Sequence, residues 1–239
     1  FQNLEDVLHT IQQTTQLNPD RLAFYSYAHV PWIKGNGQRG FKDDDVPKDE
    51  LKRTLYEEGK KKLLAHGYHE IGMDHFALKS DAMYQAFQQG SLHRNFMGYT
   101  ASKTQLMIGL GLSSISDSWY SFAQNEKTLE DYYARLEQNE IPVFRGHVLT
   151  AEDLMIRRHI LNLMCSFQTS WAEPEMQFPE LPEVLKQLEE MQEDGLLTLF
   201  EDHLQVTEQG KPFVRNICMA FDLRLKRKVP STRIFSMTI

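Results

Sequence analysis

Leu4, Val7, Leu8 and Ile11 recur at three-four spacing and predict an amphipathic helix at the start of the chain. Asn18-Pro19-Asp20 ends it, and Leu22 to Tyr27 follows as a nearly unbroken apolar run, the pattern of a strand buried on both faces of a parallel sheet. From Ala28 to Pro47, a stretch containing Gly35, Gly37 and Gly40, no period is visible, and an irregular segment of that length is usually functional or mobile. A second helix is expected from about Lys48 to His66, with Gly67 as a left-handed cap, leading into a short strand from Tyr68 to Met73. Helix into strand, twice over, reads as two β/α units of a sheet that starts in earlier sequence, so the chain is expected to begin in mid-fold.

The pattern then shifts to a helix near Asp81 to Gln89, a polar-aromatic loop, and a strand-like run from Leu106 to Leu110 that would complete the sheet. After Gln124-Asn125 the chain is expected to be mainly helical, with Leu129, Tyr132, Tyr133 and Leu136 on one face. Thr150 and Asp153 form a capping-box pattern ahead of a helix from Leu154 to Phe167. A further helix uses Leu181, Leu185, Leu188 and Met191 and closes at Gly195; a hairpin (Leu196 to Phe200, Leu204 to Val206) and a helix from Thr207 to Leu225 follow. The result is an α/β fold in two parts: residues 1–125, built on β/α units, and residues 126–239, mainly helical with a winged-helix-like module. No internal repeat is visible.

Composition removes several function classes. The chain has 26 basic and 33 acidic residues, a net charge of −7, which argues against general affinity for nucleic acid or anionic membranes. The helix from Leu181 to Asp194 carries one Lys against several Glu, so a winged-helix reading as a nucleic-acid binder meets repulsion from phosphates. Arg224-Leu225-Lys226-Arg227-Lys228 is a dense basic run, read as a solvated helix end. No run of roughly 18 apolar residues is present, and a protein of the cytoplasm with no membrane partner is expected. Cys165 and Cys218 are too few for a disulfide framework, a four-thiolate metal site or a cluster site, so no metal ligands are assigned.

Three segments carry candidate chemistry. Gly109-Leu110-Gly111 ends a strand, where the missing Cβ atoms allow either close approach to a ligand or simply a tight strand exit. Asp74 and His75 in Ile71-Gly72-Met73-Asp74-His75-Phe76-Ala77 follow a strand, as does His29 in Tyr27-Ala28-His29-Val30-Pro31, and structural histidines are the simpler reading of both. Leu92-His93-Arg94-Asn95-Phe96-Met97-Gly98-Tyr99-Thr100 joins a cation, an amide and two aromatic rings; it is either a grip for a flat anionic ligand or a loop whose rings plug the core.

Taken with Arg215-Asn216-Ile217-Cys218-Met219-Ala220-Phe221-Asp222, the segments Ile71 to Ala77 and His93 to Thr100 resemble the bacterial oxygen-independent coproporphyrinogen III oxidases. These are radical S-adenosylmethionine enzymes of haem synthesis, and the likeness runs from Phe1 to Ile239. The resemblance implies that residues 1–125 are the last units of a partial β/α (TIM-like) barrel plus an extension lining the site, and that residues 126–239 form a helical C-terminal domain. It implies two S-adenosylmethionine molecules and a four-iron, four-sulfur cluster whose cysteines precede this stretch, so these residues alone are expected to be inactive. The substrate it implies is coproporphyrinogen III, two propionates of which become vinyl groups, with an electron acceptor of unspecified identity and a monomeric enzyme.

Ala28, Phe96, Met97 and Ile115 match family positions that contact the two S-adenosylmethionine molecules, and no catalytic acid or base is assigned among them. Position 97 is commonly Gln in the family, and Met removes the amide's hydrogen bonding there. Arg39, Arg94 and Arg145, each beside glycine or aromatic residues, are the candidate partners of the substrate's propionates. Alternative readings are a related radical enzyme or haem-binding chaperone without oxidase activity, and the winged-helix nucleic-acid binder.

Overall fold

The computed structural model describes residues 2–30, 40 and 42–227; Pro31, Gly35, Gly37, Arg39 and Lys228, singled out in the sequence, lie outside them. Two compact units emerge, one comprising the chain up to Gln88 together with Arg224 to Arg227, the other Gln89 to Leu223.

In the first unit, helix α1 (Leu4–Gln16) starts on a reciprocal cap. The Asn3 side chain accepts from the Asp6 amide at 3.0 Å, and the Asp6 carboxylate accepts from the Asn3 amide at 3.0 Å. The face bearing Val7 and Ile11 packs into one apolar cluster with Leu55 and Leu63 of α2 (Asp49–Ala65), Tyr68 and Phe76. Gly67 does take the left-handed conformation expected after α2, with φ of 87°. Strands β1 (Arg21–Ala23), β2 (Tyr68–Gly72) and β3 (His75–Leu78) form an antiparallel sheet in the order β1-β3-β2. The β2–β3 reversal uses Met73 and Asp74, both at positive φ, and Asp81 then caps α3 (Ala82–Gln88) by accepting from the Met83 amide at 2.7 Å.

Parallel pairing is therefore not made within the described residues, where every ladder is antiparallel. The expected strand from Leu22 to Tyr27 shortens to Arg21–Ala23, and Tyr25 and Tyr27 stay exposed. Three residues of pairing at the edge of an antiparallel sheet bury little, so the apolar composition of the run is not matched by a strand covered on both faces.

The second unit opens with a hairpin, β4 (His93–Asn95) and β5 (Gly98–Thr100). A four-stranded antiparallel sheet follows, β6 (Leu106–Met107), β7 (Ile115–Ser118), β8 (Ser121–Asn125) and β9 (Val143–Val148), with α4 (Leu129–Glu137) between the last two strands. Because β8 pairs with β9, this sheet crosses the 125/126 boundary expected from the sequence. The run from Leu106 to Leu110 is not a buried strand: it pairs only at Leu106–Met107, and Leu110 is 86% exposed.

The remaining elements of this unit are α5 (Ala151–Ser166), β10 (Gln168–Ser170), α6 (Leu181–Glu193), β11 (Leu197–Leu199), β12 (His203–Val206) and α7 (Val214–Phe221). The predicted capping box is present, with the Thr150 hydroxyl accepting from the Asp153 amide at 3.2 Å and the Asp153 carboxylate from the Thr150 amide at 2.9 Å. The single helix expected from Thr207 to Leu225 is instead a 3₁₀ turn, α7, and a short α8 (Leu223–Arg227), broken at Asp222, where ψ is 83°. No helix among the described residues is long and apolar enough to cross a membrane.

At the centre of this core His159 is 0% exposed, its Nδ1 2.9 Å from Thr169 Oγ1 and its Nε2 2.9 Å from the Met176 carbonyl, with Phe221 stacked on the ring. Burial holds its pKa below the ordinary imidazole value. The unfolded chain then binds a proton that the folded chain refuses, so the stabilisation is complete above about pH 6.5 and is lost as pH falls below it. Thermal midpoints should drop between about pH 7.5 and about pH 5.5, and His159→Gln should flatten that dependence. An unchanged slope in the variant would assign the acid sensitivity elsewhere.

Candidate cofactor and substrate site

The segment from Leu92 to Thr100, expected as a loop, folds as a hairpin in which Arg94 faces Tyr99 and Asn95 faces Gly98 across the ladder. Phe96 and Met97 form its two-residue turn. Gly98 supplies a φ of 127°, and the Asn95 side-chain oxygen accepts from the Met97 amide at 2.9 Å, an Asx turn. This geometry leaves Phe96 55% and Met97 78% exposed, so two large apolar side chains stand at a tip instead of plugging the core. Tyr99 does enter the core, donating its hydroxyl to the Met164 carbonyl at 2.7 Å. The Arg94 guanidinium lies over the Tyr99 ring at 4.7 Å, and its Nη1 is buried without a hydrogen-bond partner. A buried cationic donor in that state favours an anion.

Strand β7 brings the next group. Alternation along the strand places Ile115 and Asp117 on one face, and antiparallel pairing puts Gln124 and Arg145 level with Ile115, and Phe122 and His147 level with Asp117. Asp117 is only 5% exposed. One of its oxygens accepts from the Phe96 amide at 2.9 Å, and the other pairs with Arg157 Nη2 at 2.8 Å. Arg157 in turn donates through Nη1 to the carbonyls of Ser118 at 2.8 Å and Trp119 at 3.1 Å, and lies 5.0 Å from the ring centroids of Trp119 and Phe122.

The glycines at 109 and 111 serve a tight strand exit. A Cβ on Gly109 would stand 2.8 Å from the backbone carbon and oxygen of Ile115, so what approaches Gly109 is the strand carrying a candidate residue. Gly111 takes φ of 92°, and the Asn125 amide donates to the carbonyls of Gly109 at 3.1 Å and Gly111 at 2.9 Å, fixing the loop. Arg145 donates through Nε to Gln124 Oε1 at 3.0 Å and, among the described residues, has no carboxylate partner.

Phe96, Met97, Ile115, Arg94 and Arg145 thus belong to the second unit, with Phe96 tied to the strand of Ile115 and Arg145 in register with it. Ala28 belongs to the first unit, exposed in an irregular stretch, and Arg39 lies outside the described residues. His75 keeps a local role, its Nδ1 2.7 Å from the Met73 carbonyl, next to the Asp74 turn. Sequence reasoning missed Asp117, Arg157 and Asn125. The alternation of Asp117 with Ile115 was visible, but its partner Arg157 lies 40 residues away and nothing local announces it.

The chain's own thiols do not fit an iron–sulfur cluster, which is held by a set of thiolates. Burial pushes Cys165 up to about 11 and Cys218 up to about 12, Arg94 opposing only in part, so both remain protonated. Among the described residues no group of three His, Cys, Asp or Glu side chains comes together. S-adenosylmethionine does fit the hairpin tip, where an exposed ring and thioether offer apolar surface.

The family model described as the HemN C-terminal domain matches residues 149–213. Oxygen-independent coproporphyrinogen III oxidase of Escherichia coli K12 is 38% identical over 232 residues, 95% of this chain and 50% of that protein. The protein of the same name from Synechocystis is 36% identical, covering 100% of this chain and 53% of the relative, and that from Thermostichus vulcanus is 36% identical, covering 100% and 74%. A solved structure described as coproporphyrinogen III oxidase (HemN) from Escherichia coli, a radical SAM enzyme, superposes with a TM-score of 0.86 at 37% identity, over 94% of this chain and 52% of that one. The chain spans about half the length of the first of these relatives.

Proposed function

The chain belongs to the oxygen-independent coproporphyrinogen III oxidase family, and from that premise we propose that it is the C-terminal part of an enzyme converting coproporphyrinogen III to protoporphyrinogen IX. The single observation carrying this reading is the likeness in sequence over 95% of the chain to a relative of that name. In this reaction each of two propionates loses a hydrogen atom and carbon dioxide, gives its one remaining electron to an acceptor, and becomes a vinyl group. S-adenosylmethionine, when bound beside a cluster held by residues elsewhere, supplies the one-electron chemistry.

What this chain contributes is shape and charge. Phe96, Met97 and Ile115 of the second unit contact S-adenosylmethionine and keep water from the reacting atoms, and Ala28 of the first unit is, taken by itself, also assigned to cofactor contact. Met97 binds by its thioether where an amide would hydrogen-bond, so the second cofactor is held more by contact than by polar recognition. Arg145 and Arg94, with Arg39, meet substrate carboxylates through charge-assisted hydrogen bonds, the local cations a protein of net charge −7 needs to attract an anion. The exposure of Arg145 on the Ile115 face and the orphaned Nη1 of Arg94 support these roles.

Under the same reading, residues 1–125 hold the last units of a partial β/α barrel with a site-lining extension, and residues 126–239 carry a winged-helix-like module built from α5, β10, α6, β11, β12 and α7. The acidic face of α6 favours a packing role for that module over nucleic-acid binding. A monomer acting in the cytoplasm completes the proposal.

The test is anaerobic turnover of coproporphyrinogen III by the full-length protein with its cluster reconstituted. Arg145→Gln and Arg94→Gln, made singly, should each raise the substrate KM about tenfold while changing S-adenosylmethionine affinity less. No vinyl product from the unmodified protein would reject the oxidase reading. Equal losses for both ligands would reject the substrate roles of the two arginines.

A further inference from the structure

We propose that Asp117 and Arg157 are positioning residues that hold the Phe96 turn in register with Ile115. This rests on the reading above, in which Phe96 and Ile115 both touch S-adenosylmethionine. A two-residue turn ending a hairpin of three-residue strands has little rigidity of its own, because few ladder bonds restrain it. The Asp117 carboxylate supplies the restraint by accepting from the Phe96 amide at 2.9 Å, from the face of β7 that also carries Ile115. Side-chain exposure of 4% for Asp117 and 14% for Arg157 removes the water that would otherwise compete for that amide.

The carboxylate is itself fixed. Arg157 takes its second oxygen at 2.8 Å and is anchored by the Ser118 and Trp119 carbonyls and by two aromatic rings. Gly109 fixes the other end of the strand, lying too close to the Ile115 backbone to admit a Cβ. The two cofactor contacts are thereby joined through one short path, Phe96 amide, Asp117, two residues of strand, Ile115. Neither Asp117 nor Arg157 needs to touch substrate or cofactor to set that spacing, and reacting groups held by such a frame lose rate steeply when it slackens.

Removing Asp117 alone would strand a buried guanidinium and could unfold the unit, so the test removes both charges. In the full-length protein, Asp117→Ala/Arg157→Met eliminates the acceptor for the Phe96 amide, whereas Asp117→Asn/Arg157→Met keeps a side-chain oxygen there. Expected are thermal midpoints for the two double variants within about 3 °C of each other, and Phe96 amide exchange about tenfold faster in the Ala variant. S-adenosylmethionine binding should also be about tenfold weaker in the Ala variant, with less vinyl product per molecule cleaved, and should recover in the Asn variant. Exchange at Phe96 that is equal in the two variants overturns the tether itself. Faster exchange with unchanged S-adenosylmethionine affinity overturns its role in cofactor placement. A wild-type protein that binds no S-adenosylmethionine would sink the oxidase reading while the exchange comparison still decides the tether.

Discussion

Gly210→Ala should destabilise the second unit by more than about 3 kcal/mol and lower its thermal midpoint by roughly 10 °C. The reason is space, not backbone conformation, since Gly210 has φ of −83°, open to any residue. A Cβ there would overlap the Leu196 carbonyl oxygen and stand 2.6 Å from its carbon. Backbone cannot rotate aside as a side chain can. That carbonyl accepts from the Thr207 amide at 3.0 Å, and Thr207 receives the Gly210 amide at 3.0 Å on both its carbonyl and its hydroxyl, so the methyl would pry open the closure between β11 and the turn before α7. Leu197, Leu204 and Val214, all at 1% exposure or less, would lose packing together. A midpoint within about 2 °C of wild type would show that the turn relaxes cheaply.

Helices and their ends were the most legible part of the sequence, because their signals are local. The Thr150–Asp153 box, Gly67 and Gly195 after α2 and α6, and the apolar spacing of α1 all have the geometry their residue types dictate. Strands were less legible, since a strand's burial depends on partners remote in sequence. Leu106 to Leu110 has the composition of a core strand and is exposed, while Ile115–Ser118 and Val143–Val148, with serines, an arginine and a histidine among them, are strands. The site residues drawn from the family resemblance included Phe96 and Ile115 but not the group that joins them. Asp117 sits in an unremarkable Ile-Ser-Asp-Ser run, and its importance follows only from burial beside Arg157. The polar-aromatic segment at the hairpin shows the same limit: composition suggested both a ligand grip and a core plug, and the ladder register assigns Tyr99 to the core and Phe96 to the tip.

Ile115→Ala in the full-length enzyme should leave the melt nearly unchanged and reduce vinyl product about a hundredfold. A fully buried isoleucine trimmed to alanine costs about 2 to 5 kcal/mol, but Ile115 is only half-buried, at the strand that exits beside Gly109, so less packing is at stake. Its backbone is held by the Gln124 pairing and by the close Gly109 backbone, neither of which involves the side chain being removed. The β-branched side chain has few rotamers and presents one fixed surface, which alanine would replace with a gap of about three carbons. Through that gap a bound cofactor gains room to move, and misplacement of reacting atoms by about 1 Å is enough for the loss expected here. Two measurements on the same sample separate the outcomes, vinyl product per S-adenosylmethionine cleaved and the thermal midpoint. Loss of coupling at constant melt assigns Ile115 to the wall of the cofactor site, whereas unchanged coupling, or a fall in the melt large enough to explain the lost activity, returns it to the packing of β7.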